Sequence, residues 1–279
     1  MSSPHPRPLP VEGRGEGRSL GASAFEVIDE RGRGSAAQLG EVLRDCNVDV
    51  NVVETRMRRK RLLVADMEST IIEQEMLDEL ADFIGAREKI AAITERAMRG
   101  ELEFEAALKE RVAMLAGLDA SVLDQVAERI TLMPGAETLI RTMKVNGAYC
   151  ALVSGGFTVF TERIARRLGF DEHQANVLEI AGGKLTGRVV EPILGREAKR
   201  LALLRLTAEL GIDPRETIAV GDGANDLAML EAAGLGAAFR AKPKVCEAVA
   251  AMSNGAVLTH GDLTALLYLQ GYAESDFSG

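Results

Sequence analysis

Short, unbroken apolar runs alternate along this chain with amphipathic stretches. Leu62-Leu63-Val64-Ala65 is apolar throughout, the pattern of a central parallel strand buried on both faces. A helical pattern follows over 71–84. From 86 to 130, apolar residues such as Ile90, Ile93, Leu108, Val112, Val122 and Val126 recur at helical spacing with no strand signal between them. Pro134-Gly135 ends that block, and strand and helix signals then alternate. Strands are expected over 148–153, 177–180, 185–190, 217–220 and 236–239, the second and third joined through Gly182-Gly183. Helices are expected over 159–168, 197–210, 227–233 and 263–269. This alternation predicts an α/β fold, a parallel sheet flanked by helices. The helical block inserted after the first core strand is expected to cover the carboxyl ends of the strands, where open α/β sheets bind ligands.

The expected division is a disordered leader over 1–20, a small appendage over 21–58, a sheet core over 59–74 and 132–275, and a helical cap over 75–131. The leader is rich in Pro, Gly and Arg, with no apolar block that would make a secretory signal. The basic run Arg56, Arg58, Arg59, Lys60 and Arg61 reads as a solvated connector ahead of the first buried strand.

Composition narrows the function. The 279 residues are 47% hydrophobic and 27% charged, ordinary for a globular chain, and no apolar run approaches the ~18 residues of a membrane span. Lys plus Arg number 33 against 42 Asp plus Glu, a net charge of −9, and aromatics are 4% with no Trp. Such a chain has neither the basic surplus nor the stacking surface of a nucleic-acid binder. Three cysteines, Cys46, Cys150 and Cys246, lie far apart without CxxC spacing, as expected of reduced thiols in a cytoplasmic protein.

Three polar turns close expected strands: Asp66-Met67-Glu68-Ser69-Thr70, Ser154-Gly155-Gly156, and Gly221-Asp222-Gly223-Ala224-Asn225-Asp226. Taken singly, each is an ordinary helix cap or tight loop. Together they bring several carboxylates to one edge of the sheet, where like charges repel unless a hard cation such as Mg²⁺ joins them. Glycines and the hydroxyls of Ser69, Thr70 and Ser154 add donors for phosphate oxygens. Carboxylates, a cation and phosphate donors point to phosphoryl transfer.

The stretches ADMESTIIEQEMLDELA (65–81), AMRGELEFEAALKERVAML (97–115), LVSGGFT (152–158), Lys199, AVGDGANDLAML (219–230) and AFRAKP (238–243) carry a resemblance. Over roughly 60–270 the chain resembles the phosphoserine phosphatase branch of the haloacid dehalogenase (HAD) superfamily. The resemblance implies a Rossmann-like core with a helical cap, and Mg²⁺-dependent hydrolysis of O-phospho-L-serine as the last step of serine biosynthesis. It makes Asp66 the nucleophile that becomes an aspartyl phosphate and Glu68 the general acid and base. Lys199 offsets charge on the nucleophile and the phosphoryl group. Ser154, Gly155 and Asn225 are implied to hold phosphate. Asp66, Asp222 and the Glu68 backbone carbonyl are implied to hold the metal, with Asp226 behind them. Glu75 matches the position that binds the serine ammonium and Arg111 the one that holds its carboxylate. Met98 and Phe104 match apolar residues shielding the site. The partner is thus a small molecule, with neither nucleic acid nor membrane, and the protein a monomer or homodimer.

The chain departs from the family at Glu68, where Asp is usual, which lengthens the acid by one methylene. Transfer of the phosphoryl group to another alcohol such as homoserine, and hydrolysis of another small phosphate ester, are the alternatives. A non-enzymatic protein is disfavoured because the nucleophile, lysine and metal-aspartate positions are all filled.

Overall fold

The computed structural model describes residues 17–28, 33–43, 45–98 and 101–278. In chain order the strands are β1 (Gly17–Ser19), β2 (Phe25–Val27), β3 (Leu62–Ala65), β4 (Tyr149–Phe157), β5 (Glu172–Ala181), β6 (Lys184–Val190), β7 (Thr217–Gly221), β8 (Leu235–Phe239) and β9 (Gly255–Leu258). The helices are α1 (Arg33–Val42), α2 (Met76–Phe83), α3 (Arg87–Met98), α4 (Phe104–Ala113), α5 (Ser121–Ala127) and α6 (Ala136–Val145). After them come α7 (Thr158–Leu168), α8 (Arg196–Glu209), α9 (Leu227–Ala232), α10 (Pro243–Ala251) and α11 (Ala265–Leu269).

Seven strands form one sheet in the order β6-β5-β4-β3-β7-β8-β9, parallel except for the antiparallel hairpin β5–β6. On β3, Leu63 and Ala65 join a core with α6, α7 and α11, while Leu62 and Val64 face α8, α9 and α10. A strand covered on both faces has no polar side, which is why residues 62–65 are uniformly apolar. Ala65 sits level with Leu152 of β4 and Val220 of β7, so Asp66, Ser154 and Gly221 lie close along one edge; the turn expected after residue 153 is instead part of β4, which runs on to Phe157.

Several expected elements change. The helical pattern over 71–84 yields a helix only from Met76. Residues 71–73 instead pair with the returning segment: Ile72 bridges Leu132, the Glu73 amide donates to the Thr131 carbonyl at 3.0 Å, and the Met133 amide to that of Ile71 at 2.9 Å. Tertiary pairing overrides local periodicity there. The block over 86–130 breaks into three helices. Strand β5 begins five residues before its apolar run, since its first half pairs with β4 through polar residues. Helix α6, helix α10 and strand β9 were not expected.

The amino-terminal expectations also need correction. Gly17–Ser19 forms a strand paired with β2, and Leu20 is buried, so the leader does not extend to residue 20; residues 1–16 lie outside the described residues. The basic run is not simply solvated. Arg58 pairs with Glu26 and donates to the Leu269 carbonyl at 2.8 Å and the Tyr268 carbonyl at 3.1 Å. The Arg59 guanidinium stacks 3.7 Å from the Tyr272 ring centroid, and buried Lys60 donates to the Arg215 carbonyl at 2.6 Å. These cations clamp the appendage and the chain's last turns to the core.

Side chains from 49–51 close the sheet at β9. The Asn51 amide group donates to the Val257 carbonyl at 2.9 Å and accepts from the Val257 amide at 2.8 Å. Asp49 accepts from the amides of Thr259 and His260, both at 2.9 Å.

Strand β8 lies so close to α9 that a Cβ at Gly236 would sit 2.2 Å from the Leu230 carbonyl oxygen. Gly236→Ala is therefore expected to cost about 1–3 kcal/mol through overpacking. Urea unfolding measures it; a variant as stable as the parent would mean that α9 can move away freely.

Candidate active site

Asp66 is the first residue past β3, still tied to the sheet by its amide, which donates to the Val220 carbonyl at 3.0 Å. Its buried carboxylate accepts from the Met67 amide at 2.8 Å, and the same Oδ1 lies 2.7 Å from Lys199 Nζ. Lys199, buried on α8, also reaches Asp226 Oδ1 at 2.6 Å. The other oxygen of Asp226 accepts from the Gly223 amide at 2.9 Å. A Cβ at Gly221 would fall 2.4 Å from Asp226 Cγ, so the glycine at the end of β7 gives that carboxylate its room.

Asp66, Asp222 and Asp226 each present a carboxylate oxygen, all within 4.8 Å of one another. One ammonium faces three carboxylates. Burial, reinforced by Asp226 and Asp222, pushes Asp66 up to about 8 despite Lys199. Burial and then Asp226 push Asp222 up to about 6. Burial pulls the Lys199 pKa down, but the Asp226 and Asp66 charges outweigh it and hold the ammonium above its ordinary value. A charge-deficient set of hard oxygen donors suits a divalent cation of the Mg²⁺ type.

Glu68 uses its extra methylene to reach α2: Oε1 accepts from the Met76 amide, the first of that helix, at 2.9 Å. Its carboxyl lies against the second turn, where a Cβ at Gly156 would come 2.8 Å from Oε2. Burial, then the Glu75 charge, push Glu68 up to about 8. Such a group suits proton donation to a leaving oxygen.

Across the cleft, Ser154 Oγ accepts from the Gly156 amide at 2.9 Å, which leaves its own proton for an acceptor in the cleft. Ser154, Gly155, Lys199 and Asn225 line one narrow cleft with Phe104, the first residue of α4. The Phe104 ring lies 3.5 Å from where a Gly155 Cβ would be.

Glu75 and Arg111 do not form an ion pair with each other. Glu75 is exposed at the start of α2 and accepts from Ser69 Oγ at 2.7 Å; Ser69 itself holds a left-handed backbone (φ 55°) in the turn after Asp66. Arg111 donates to the Ala107 carbonyl at 3.2 Å and to Thr94 Oγ1 at 3.4 Å. Burial lowers the Arg111 pKa, against the charges of Glu68, Asp78 and Glu75, which raise it. The Met98 side chain lies outside the described residues. Asn176, absent from the expected site residues, is buried beside β4, donating to the Gly155 carbonyl at 2.9 Å and accepting from the Leu194 amide at 2.8 Å. Its one sequence signal is a polar residue in a strand whose neighbours turn apolar.

Residues 63–231 match the haloacid dehalogenase-like hydrolase family. A phosphoserine phosphatase of Streptomyces coelicolor is 51% identical over 203 residues, 72% of this chain and 50% of that protein. One of Mycobacterium tuberculosis is 47% identical over 240 residues, 85% of this chain and 58% of that protein. The chain thus spans about half the length of these relatives. A HAD family hydrolase of Salmonella enterica serovar Typhi superposes with a TM-score of 0.81 at 33% identity, covering 91% of this chain and 89% of that one. The matched segment runs from inside β3 through α9 and so takes in all three turns, which makes this chain a member of the haloacid dehalogenase-like hydrolase family.

Proposed function

We propose that the protein hydrolyses O-phospho-L-serine to L-serine and phosphate through an aspartyl phosphate at Asp66, the last step of serine biosynthesis. The observation that carries this reading is Asp66 Oδ1, buried at a strand end and bonded to Lys199, which lines one cleft with Ser154 and Gly155. The relatives' names supply the substrate class.

Asp66 attacks phosphorus while Ser154 Oγ, the Gly155 amide and Asn225 hold the phosphoryl oxygens and Lys199 balances their charge. Glu68 gives its proton to the departing serine oxygen, then takes one from the water that opens the acyl phosphate. Asp66, Asp222 and the Glu68 backbone carbonyl would hold Mg²⁺, with Asp226 behind them, and the bound cation would neutralise charge on carboxylates and phosphoryl oxygens alike. Glu75 takes the substrate ammonium and Arg111 its carboxylate, for which a planar guanidinium is suited. Residues 75–131 serve as the cap, with Phe104 keeping water from the reacting centre. No helix among the described residues is long and apolar enough to cross a membrane.

Phosphate release from L-phosphoserine in the presence of Mg²⁺ tests the reading directly. Wild type should turn over and Asp66→Asn should not, because an amide cannot form the acyl phosphate; full activity in the variant would refute the mechanism.

For Arg111→Ala, kcat/KM on phosphoserine is expected to fall roughly 10–100-fold, the worth of hydrogen bonds to a charged group, with a much smaller loss on an aryl phosphate. Parallel losses on both substrates would make Arg111 a support of the fold.

Metal dependence should vary with pH. The folded-state pKa values of Asp66, Glu68 and Asp222 are raised, so folding takes up protons and the metal-free protein loses stability as pH climbs from about 4 through about 8. A cation competes with those protons. Mg²⁺ is therefore expected to raise the melting temperature more at pH 8 than at pH 5.5, and equal gains at both would remove the carboxylate cluster as the metal site.

A further inference from the structure

The ladder between β4 and β5 breaks at the cleft. Val153 pairs with Gln174 and the next partners are Phe157 and Asn176, so β4 advances from 153 to 157 while β5 advances only from 174 to 176. Three residues of β4, Ser154-Gly155-Gly156, thus stand against Ala175 alone, a bulge within the strand, and Ser154 and Gly155 line the cleft. A bulge of this kind leaves backbone groups without ladder partners, and buried carbonyls and amides must find others. The Gly155 carbonyl finds the side chain of Asn176, whose Nδ2 lies at 2.9 Å. The same side chain turns its Oδ1 to the Leu194 amide at 2.8 Å, in the segment that leads into α8 and Lys199. Since one partner is a carbonyl and the other an N–H, only one orientation of the Asn176 amide satisfies both. Gly155 and Leu194 line the same cleft as Lys199 and Asn225.

We propose that Asn176 is a positioning residue for this reaction, fixing the distance between the phosphate-holding turn and the segment that delivers Lys199. It touches neither substrate nor reacting atoms. It needs one donor and one acceptor on a short, buried stem, which among side chains of this size is a carboxamide. Aspartate keeps the shape and loses the donor, setting an oxygen against the Gly155 carbonyl; serine reaches neither partner. The inference rests on the phosphatase reading above, and its reach is the phosphate end of the substrate, since the groups assigned to the serine end lie on α2 and α4.

The test uses the full chain with Mg²⁺. KM and kcat are measured for L-phosphoserine and an aryl phosphate, together with competitive inhibition by inorganic phosphate, in wild type, Asn176→Asp and Asn176→Ser, with melting curves to establish folding. Expected in both variants are increases of about tenfold or more in the phosphate inhibition constant and in KM for both substrates. The preference for phosphoserine over the aryl ester should meanwhile stay within about twofold of wild type. Folded variants with an unchanged phosphate inhibition constant, or a loss confined to kcat, overturn the proposal. Should Asn176→Asp not fold, Asn176→Ser decides without the added charge; failure of both to fold assigns Asn176 to the fold and overturns the positioning role. A wild type that neither hydrolyses phosphoserine nor is inhibited by phosphate brings down the phosphatase reading itself, whereas an active wild type beside unaffected variants brings down this inference alone.

Discussion

The molecule is organised around one ammonium. Lys199 Nζ sits between Asp66 and Asp226 at 2.7 and 2.6 Å, and all three groups are buried. Two carboxylates so close would not both stay ionised in a dry site, and a buried lysine without partners would shed its proton. Each group makes the others tolerable. The arrangement also dictates the scaffold: one carboxylate comes from the end of β3 and the other from the turn between the neighbouring strand β7 and α9, and the lysine must come from a helix lying over that face. Gly221 completes it by leaving no side chain where Asp226 has to stand.

Glu68 shows how a longer acid fits the same frame. The added methylene does not push the carboxyl into the cleft at random, because the first amide of α2 captures one oxygen. A helix N-terminus is a natural seat for a carboxylate. Anchored there, the group spans from the first residue of α2 to Gly156 of β4.

Much of this was legible in the sequence. The three turns, each ending an apolar strand, placed Asp66, Ser154 and Asp222 at a common edge, and register alone explains it: Ala65, Leu152 and Val220 are level. The spacing of apolar residues over 86–130 identified a helical insert. Other features depended on long-range contacts that no local pattern carries. Helix periodicity over 71–75 yielded to pairing with residues 131–133, sixty positions away. Arg58 and Lys60 resembled a solvated run because their acceptors are carbonyls at 268–269 and 215, far along the chain. Asn176 stayed hidden for a related reason: its role follows from a register break between two strands, visible only once they are paired. In contrast, α6 had a readable stripe in Ala136, Leu139, Ile140 and Met143, all buried on one face.

The side chains of Asp49 and Asn51 have a consequence beyond their own hydrogen bonds. By presenting a donor and an acceptor to Val257, Asn51 imitates one residue of a further strand and then stops. At the opposite margin, Leu185 exchanges backbone bonds with Gly117 and Leu118 in the helical insert. Open sheet margins are templates on which other chains can polymerise. Here both margins are engaged by segments too short to be extended, so the seven-stranded layer resists recruiting foreign backbone as the concentration of protein rises.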